Sequence, residues 1–173
     1  NQGNVRLEYH IPTRGLIGFR GDFLTATRGA GIMNTQFLAY EPYCGEITSN
    51  RSGVMVSSEN GIAVTFGLNN AQVRGLTFVE PGTSVYEGMI VGLNSRLQDI
   101  AVNVCKEKKL TNMRASTSDF SIKLTPPMKM SLEQAIDFIN RDELVEVTPE
   151  SIRLRKKILT ETQRLRMRKQ SEG

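Results

Sequence analysis

The chain has no tryptophan, one histidine, two cysteines and only 6% aromatic residues, and each shortage removes a class of function. Imidazole catalysis would have to use His10 alone, on the alternate face of an apolar/polar stretch with no nucleophile beside it, so no catalytic residue is assigned. Cys44 and Cys105 lie far apart and neither sits in a CxxC pair. That excludes the disulfide framework of a small secreted domain; two reduced thiols are expected, and no metal site. No run of about 18 apolar residues is present to span a membrane, and no basic-then-apolar leader follows Asn1. The expectation is a soluble, cytoplasmic, monomeric protein without a membrane partner. No GxxxxGK[ST] run exists to cradle nucleotide phosphates, so no cofactor is expected within this chain.

What remains is ordinary globular composition carrying a segregated charge. With 173 residues, 39% hydrophobic and 23% charged, the chain can bury a core. Between the strand-like runs 100–104 and 121–124 lies a connection, 105–120, with neither helical nor alternating periodicity. Structureless connections longer than about 12–15 residues inside compact domains are usually functional or disordered. Lys106, Lys108, Lys109 and Arg114 against Glu107 give residues 105–118 a net charge of +3. Thr111, Asn112 and Ser116 add neutral groups suited to phosphate and sugar. Residues 150–173 carry a further +5, so the rest of a chain of overall charge +4 is acidic at −4. Positive charge gathered in two segments of an acidic body marks contact with a polyanion. The bland alternative is a solvated loop and a fraying basic tail.

In chain order, Val5, Leu7, Tyr9 and Ile11 alternate with polar residues as in a half-buried strand ended by Pro12. Leu16, Phe19 and Phe23 define one helical face over 13–27, with Arg14, Arg20 and Arg28 outside it. A second strand is expected over 32–40, completing a β-α-β unit. Beyond Tyr43 the texture becomes all-β. Two apolar runs flank Glu59-Asn60-Gly61, the signal of a hairpin, and strands follow at 76–79, 85–91 and 100–104. Their spacing predicts a small, mainly antiparallel barrel. Ser131 and Gln134 form a capping box for a helix over 131–140, buried through Leu132, Ala135, Ile136 and Ile139. A hairpin should join 144–147 to 152–154, and a basic helix should start near Thr160.

Residues 11–31, IPTRGLIGFRGDFLTATRGAG, together with KKLTNMRAS at 108–116 and DELVEVTP at 142–149, resemble the carboxy-terminal part of the BipA/TypA family of translational GTPases. The resemblance implies an α+β chain. Residues 1–43 would be the second half of a ferredoxin-like domain shared with elongation factor G, and 44–173 the family-specific domain with its β-barrel and C-terminal helices. It implies a ribosome-binding module of a protein acting in large-subunit assembly, translation and stress adaptation. Its partners would be large-subunit rRNA and A-site tRNA; GTP and Mg would belong to an upstream G domain. The candidate RNA contacts are Lys106, Lys108, Lys109, Thr111, Asn112, Arg114 and Ser116, with Arg14, Arg20, Arg28, Arg153, Arg155, Lys156 and Lys157. A general single-stranded nucleic-acid-binding barrel is the alternative, disfavoured because such surfaces present several stacking aromatics and none occurs between Cys105 and Phe120.

Overall fold

The structure, a computed structural model, describes residues 5–45, 51–108 and 122–171. The chain divides into two compact units, 1–49 and 50–173, and its class is α+β.

In the first unit the helical face expected over 13–27 is broken in two. A 3-10 turn, Thr13–Leu16, is followed by Gly18 in the left-handed region at φ +76°, and then by α1, Phe19–Ala26. Such a φ is open to glycine without the penalty a Cβ would bring. The helix is closed by Thr27, whose hydroxyl donates to the Phe23 carbonyl (2.8 Å) and accepts the N–H of Gly31 (3.1 Å). The segments expected as flanking strands, 5–11 and 32–40, form no ladder among the described residues, and Val5, Leu7, Tyr9 and Tyr40 stand in solvent. Alternation specifies a face, but a strand exists only when its backbone groups find a partner.

The second unit is built on β1 (Val54–Ser57) and β5 (Met89–Asn94), paired antiparallel with a bulge between Met55 and Val56. On its far side β5 is shared: Gly92 to Asn94 pair with β3 (Gly75–Thr77), and Met89 and Ile90 with β8 (Ile152–Lys156). The outer strand β7 (Glu143–Val147) pairs with β8 as the expected hairpin, while β6 (Ile100–Val102) joins β1 in parallel. Among the described residues this six-stranded sheet ends at β6 and β7, with β3 paired to β5 alone. No closed barrel forms among the described residues; the parallel strand β6 ends the sheet instead of returning it to β7.

Two-residue alternation along β1 and β5 feeds two cores on opposite faces. Met55, Met89 and Val91 pack with Leu68 and Ala71 of α2 (Thr65–Gln72), while Val54, Val56 and Ile90 pack with Leu154 and with Ala135 of α3 (Leu132–Phe138). The expected hairpin at Asn60-Gly61 is not made. β2 (Gly61–Ile62) pairs with β4 (Ser84–Val85), because the Asn60 side chain accepts the N–H of Glu87 (2.8 Å) and draws the turn toward that segment. Gly88, at φ +89°, separates β4 from β5, and a Cβ there would lie 2.6 Å from the Leu159 Cα. The capping box holds: Ser131 Oγ accepts the Gln134 N–H and Gln134 Oε1 accepts the Ser131 N–H. Of the residues expected on the buried face, Ala135 is enclosed and Ile139 half-buried, but Leu132 and Ile136 are exposed. Phe138 takes their place, edge-on to Phe78 at 5.5 Å. The basic helix is α4, Glu161–Ser171. Among the described residues no helix is long and apolar enough to cross a membrane.

Candidate nucleic-acid interface

The basic connection leaves the core at Val104, which is fully buried and accepts the N–H of Val64 through its carbonyl (2.9 Å). The side chain of Asn103 then accepts the Cys105 N–H (2.9 Å). Beyond these fixed points Lys106, Glu107 and Lys108 are exposed. Charges presented to water on a firmly rooted stem suit a polyanion, since a bound phosphate gains attraction without first requiring burial of the ammonium. The Cys105 thiol is pushed up by burial and, second, by Glu59, so it stays protonated and is not a reactive thiolate. Lys109, Thr111, Asn112, Arg114 and Ser116 lie outside the described residues.

At the other basic segment the structure separates residues that the sequence presented as equals. Along β8 the two-residue period puts Leu154 and Lys156 on the inward face, and Lys156 is 3% exposed. Its ammonium lies 2.6 Å from Asp99, 2.7 Å from Asp142 and 2.9 Å from Glu143. Lys156 is therefore withdrawn from the candidate RNA contacts, because reaching a phosphate would require its buried ammonium to leave three carboxylates at once. These three carboxylates are close enough to hold a cation, and the lysine fills that place. Glu143 also receives Arg51 through two nitrogens (2.7 and 2.9 Å) and the N–H of Asn140 (2.9 Å). Burial alone would raise its pKa, but these hydrogen bonds outweigh it and hold the carboxyl below its ordinary value. Lys156 would likewise be lowered by burial, yet its carboxylate partners raise it. Neither Arg51 nor Glu143 was anticipated as part of a cluster; the inward position of a lysine on an alternating strand was the available signal.

Arg155 is also engaged, 2.6 Å from Glu146, which in turn accepts the Tyr86 hydroxyl (2.5 Å). Burial first, and then Glu146, push that phenol above its ordinary range. Arg153 is half-buried, and Lys157 is exposed. Next to Lys157 runs α4, pinned at its start. The Glu87 carboxylate accepts the Glu161 N–H (2.9 Å), and Arg164 donates to the Ile158 carbonyl (2.9 Å) and to that of Leu159. From there Arg166, Arg168 and Lys169 are carried along the exposed helix. A groove of about 680 Å³ lies between α4, the edge strand β6 and the turn at Arg141 and Asp142.

In the first unit Arg14 stacks over Tyr43, 4.3 Å from the ring centre, and donates to the Gly45 carbonyl. Arg20 and Arg28 are exposed, Arg28 at φ +51° on the exit from α1.

Residues 52–161 match the family described as the TypA/BipA C-terminal domain, which is more than half of the chain. The chain belongs to the TypA/BipA family. Residues 1–51 match the elongation factor G C-terminus. Relatives called large ribosomal subunit assembly factor BipA are similar over most of the chain. One from Synechocystis is 54% identical over 154 residues (89% of this chain, 26% of the relative). Those from Haemophilus influenzae and Salmonella typhimurium are 54% and 52% identical over 166 residues (95% of this chain, 27% of each relative). The chain thus spans about a quarter of the length of these curated relatives. Within it the TypA/BipA match contains the whole basic connection and β8, while Arg166, Arg168 and Lys169 lie past its end.

Proposed function

We propose that this chain is the ribosome-binding C-terminal module of a translational GTPase, contacting large-subunit rRNA and A-site tRNA, in a protein that serves large-subunit assembly. The observation that carries this reading is the identity above one half, over 95% of the chain, to proteins named large ribosomal subunit assembly factors. The placement of charge supports it. Lys106 and Lys108 are exposed on a rooted stem, and α4 holds Arg166 and Lys169 in water. The connection 105–120 supplies phosphate contacts through Lys106, Lys108 and Lys109, with Thr111, Asn112, Arg114 and Ser116 setting geometry; Arg114 can hold a phosphate bidentately where lysine cannot. Guanine-nucleotide chemistry belongs to other parts of the protein, and a fluorescent GTP analogue should show no saturable binding to the 173-residue chain.

The test is the affinity of the full-length protein for isolated large ribosomal subunits across a salt series. Lys106→Ala and Lys108→Ala should each weaken binding and flatten the slope of log affinity against log salt by about 0.7–0.9. Unchanged affinity in both variants would remove the connection from the interface. Equal affinity of the parent for ribosomes and for unstructured single-stranded RNA would favour the general nucleic-acid-binding module.

A further inference from the structure

The chain that returns from the basic connection runs back toward β3 through Thr125, Pro126, Pro127 and Met128. The two prolines carry no N–H, so between Thr125 and Met128 this segment has no backbone donor with which to fix its register. Met128 is held by its N–H on the Thr77 carbonyl (2.8 Å). Thr125 is held by a side chain. Gln72, the last residue of α2, accepts the Thr125 N–H through Oε1 (2.9 Å) and donates through Nε2 to the Thr125 carbonyl (2.7 Å). Its second Nε2 proton reaches the hydroxyl of buried Thr77 (3.1 Å). The amide therefore substitutes for one residue of a neighbouring strand, giving and taking one backbone hydrogen bond at the same peptide position.

The outgoing end of the same connection is tied to the opposite end of the same helix. Val104 accepts the N–H of Val64, immediately before α2, and the Gly67 Cα packs so closely that a Cβ there would lie 2.2 Å from the Val104 oxygen. One eight-residue helix thus holds both roots of the basic connection.

We propose that Gln72 is a positioning residue for the basic connection: it locks the chain beyond the connection at Thr125, so that the connection is presented to its polyanionic partner from fixed residues on either side, Val104 and Thr125. The proposal rests on the function assigned above and adds a residue that touches no partner. Glutamine is the side chain the geometry requires. Glutamate could accept from the Thr125 N–H but would set a carboxylate against the Thr125 carbonyl, asparagine is one methylene shorter, and alanine offers neither group. Without the lock, binding must supply the ordering of the root, which lowers affinity while leaving every phosphate contact available.

In the full-length protein, Gln72→Ala and Gln72→Glu should each weaken binding to isolated large ribosomal subunits about three- to tenfold, the worth of a lost hydrogen-bonded anchor. The slope of log affinity against log salt should stay at the parent value, because no cation is removed. Hydrogen exchange at the Thr125 amide should accelerate, with protection at Val54 to Val56 retained. If Gln72→Ala binds like the parent while Lys106→Ala and Lys108→Ala weaken binding, the positioning role is wrong and the assigned interface stands. If the lysine variants also bind like the parent, the interface itself fails and the proposal fails with it. An affinity loss accompanied by lost protection at Val54 to Val56 would mean general unfolding, and would overturn it too.

Discussion

Replacing Glu143 by glutamine removes a charge and almost no volume, which makes it a sharp probe of what joins β7, β8 and the turn before β6. The Glu143 side chain is wholly enclosed, and its two oxygens accept from Arg51, Lys156 and the Asn140 N–H. In Glu143→Gln the Arg51 and Lys156 cations stay buried without that counter-charge, and an amide nitrogen must face one of these donors. Removing one partner of a buried ion pair costs about 3–5 kcal/mol; the lower end applies because Asp99 and Asp142, both partly in water, remain on Lys156. A loss of about 3 kcal/mol is expected, read as a fall in Tm of about 10 °C. Urea unfolding of the 173-residue chain, followed by far-UV circular dichroism, measures it. The double variant Glu143→Gln/Lys156→Met also removes the ammonium that has lost its buried partner, so its loss should fall short of the sum of the singles by at least about 1 kcal/mol. A single-variant loss below about 0.5 kcal/mol, or strict additivity, would refute the reasoning.

The same cluster fixes a pH response. The folded pKa of Glu143 is lowered, so its contribution is present above the unfolded value and lost as pH falls through the folded one; that of Lys156 is raised, so its contribution is complete below the unfolded value and lost as pH rises through the folded one. Urea midpoints should therefore hold level through neutrality and decline below the ordinary glutamate range, and Glu143→Gln should abolish much of that acid decline. Gly67→Ala should destabilise by about 1–2 kcal/mol, since a Cβ 2.2 Å from the Val104 oxygen forces a backbone shift larger than the gain of about 1 kcal/mol from alanine in a helix; a raised urea midpoint would contradict the close packing. Ser131→Ala should cost about 1 kcal/mol through the capping box, whereas Lys108→Ala, at an exposed position, should change stability by less than about 0.5 kcal/mol.

Features encoded within a few residues were the ones legible in the sequence. The Ser131/Gln134 capping box and the β7–β8 hairpin around Thr148-Pro149 are local, and both form where the pattern places them. The Asn60-Gly61 turn misled because the backbone group that Asn60 accepts from is distant: Glu87 lies 27 residues on, and β2 pairs with β4. Closure of the sheet was equally illegible, since strand spacing carries no information on whether the last strand returns to the first. Residues 5–11 and 32–40 show the period of strands but have no ladder among the described residues. At the candidate interface, the segregation of positive charge identified Lys106 and Lys108 as exposed cations. It could not separate Lys156 from Lys157, because charge counts ignore which way a side chain faces. Arg51 and Glu143 meet across 92 residues, and no local rule joins them.

The proposed contact between the basic connection and ribosomal RNA can be tested directly. The direct measurement places a photo-crosslinking amino acid at position 108 of the full-length protein and maps its products on ribosomes carrying A-site tRNA. Crosslinks concentrated on large-subunit rRNA and on that tRNA, and lost in the presence of excess unmodified protein, are the predicted result. Crosslinks confined to ribosomal proteins, or spread evenly over any RNA supplied, would contradict it.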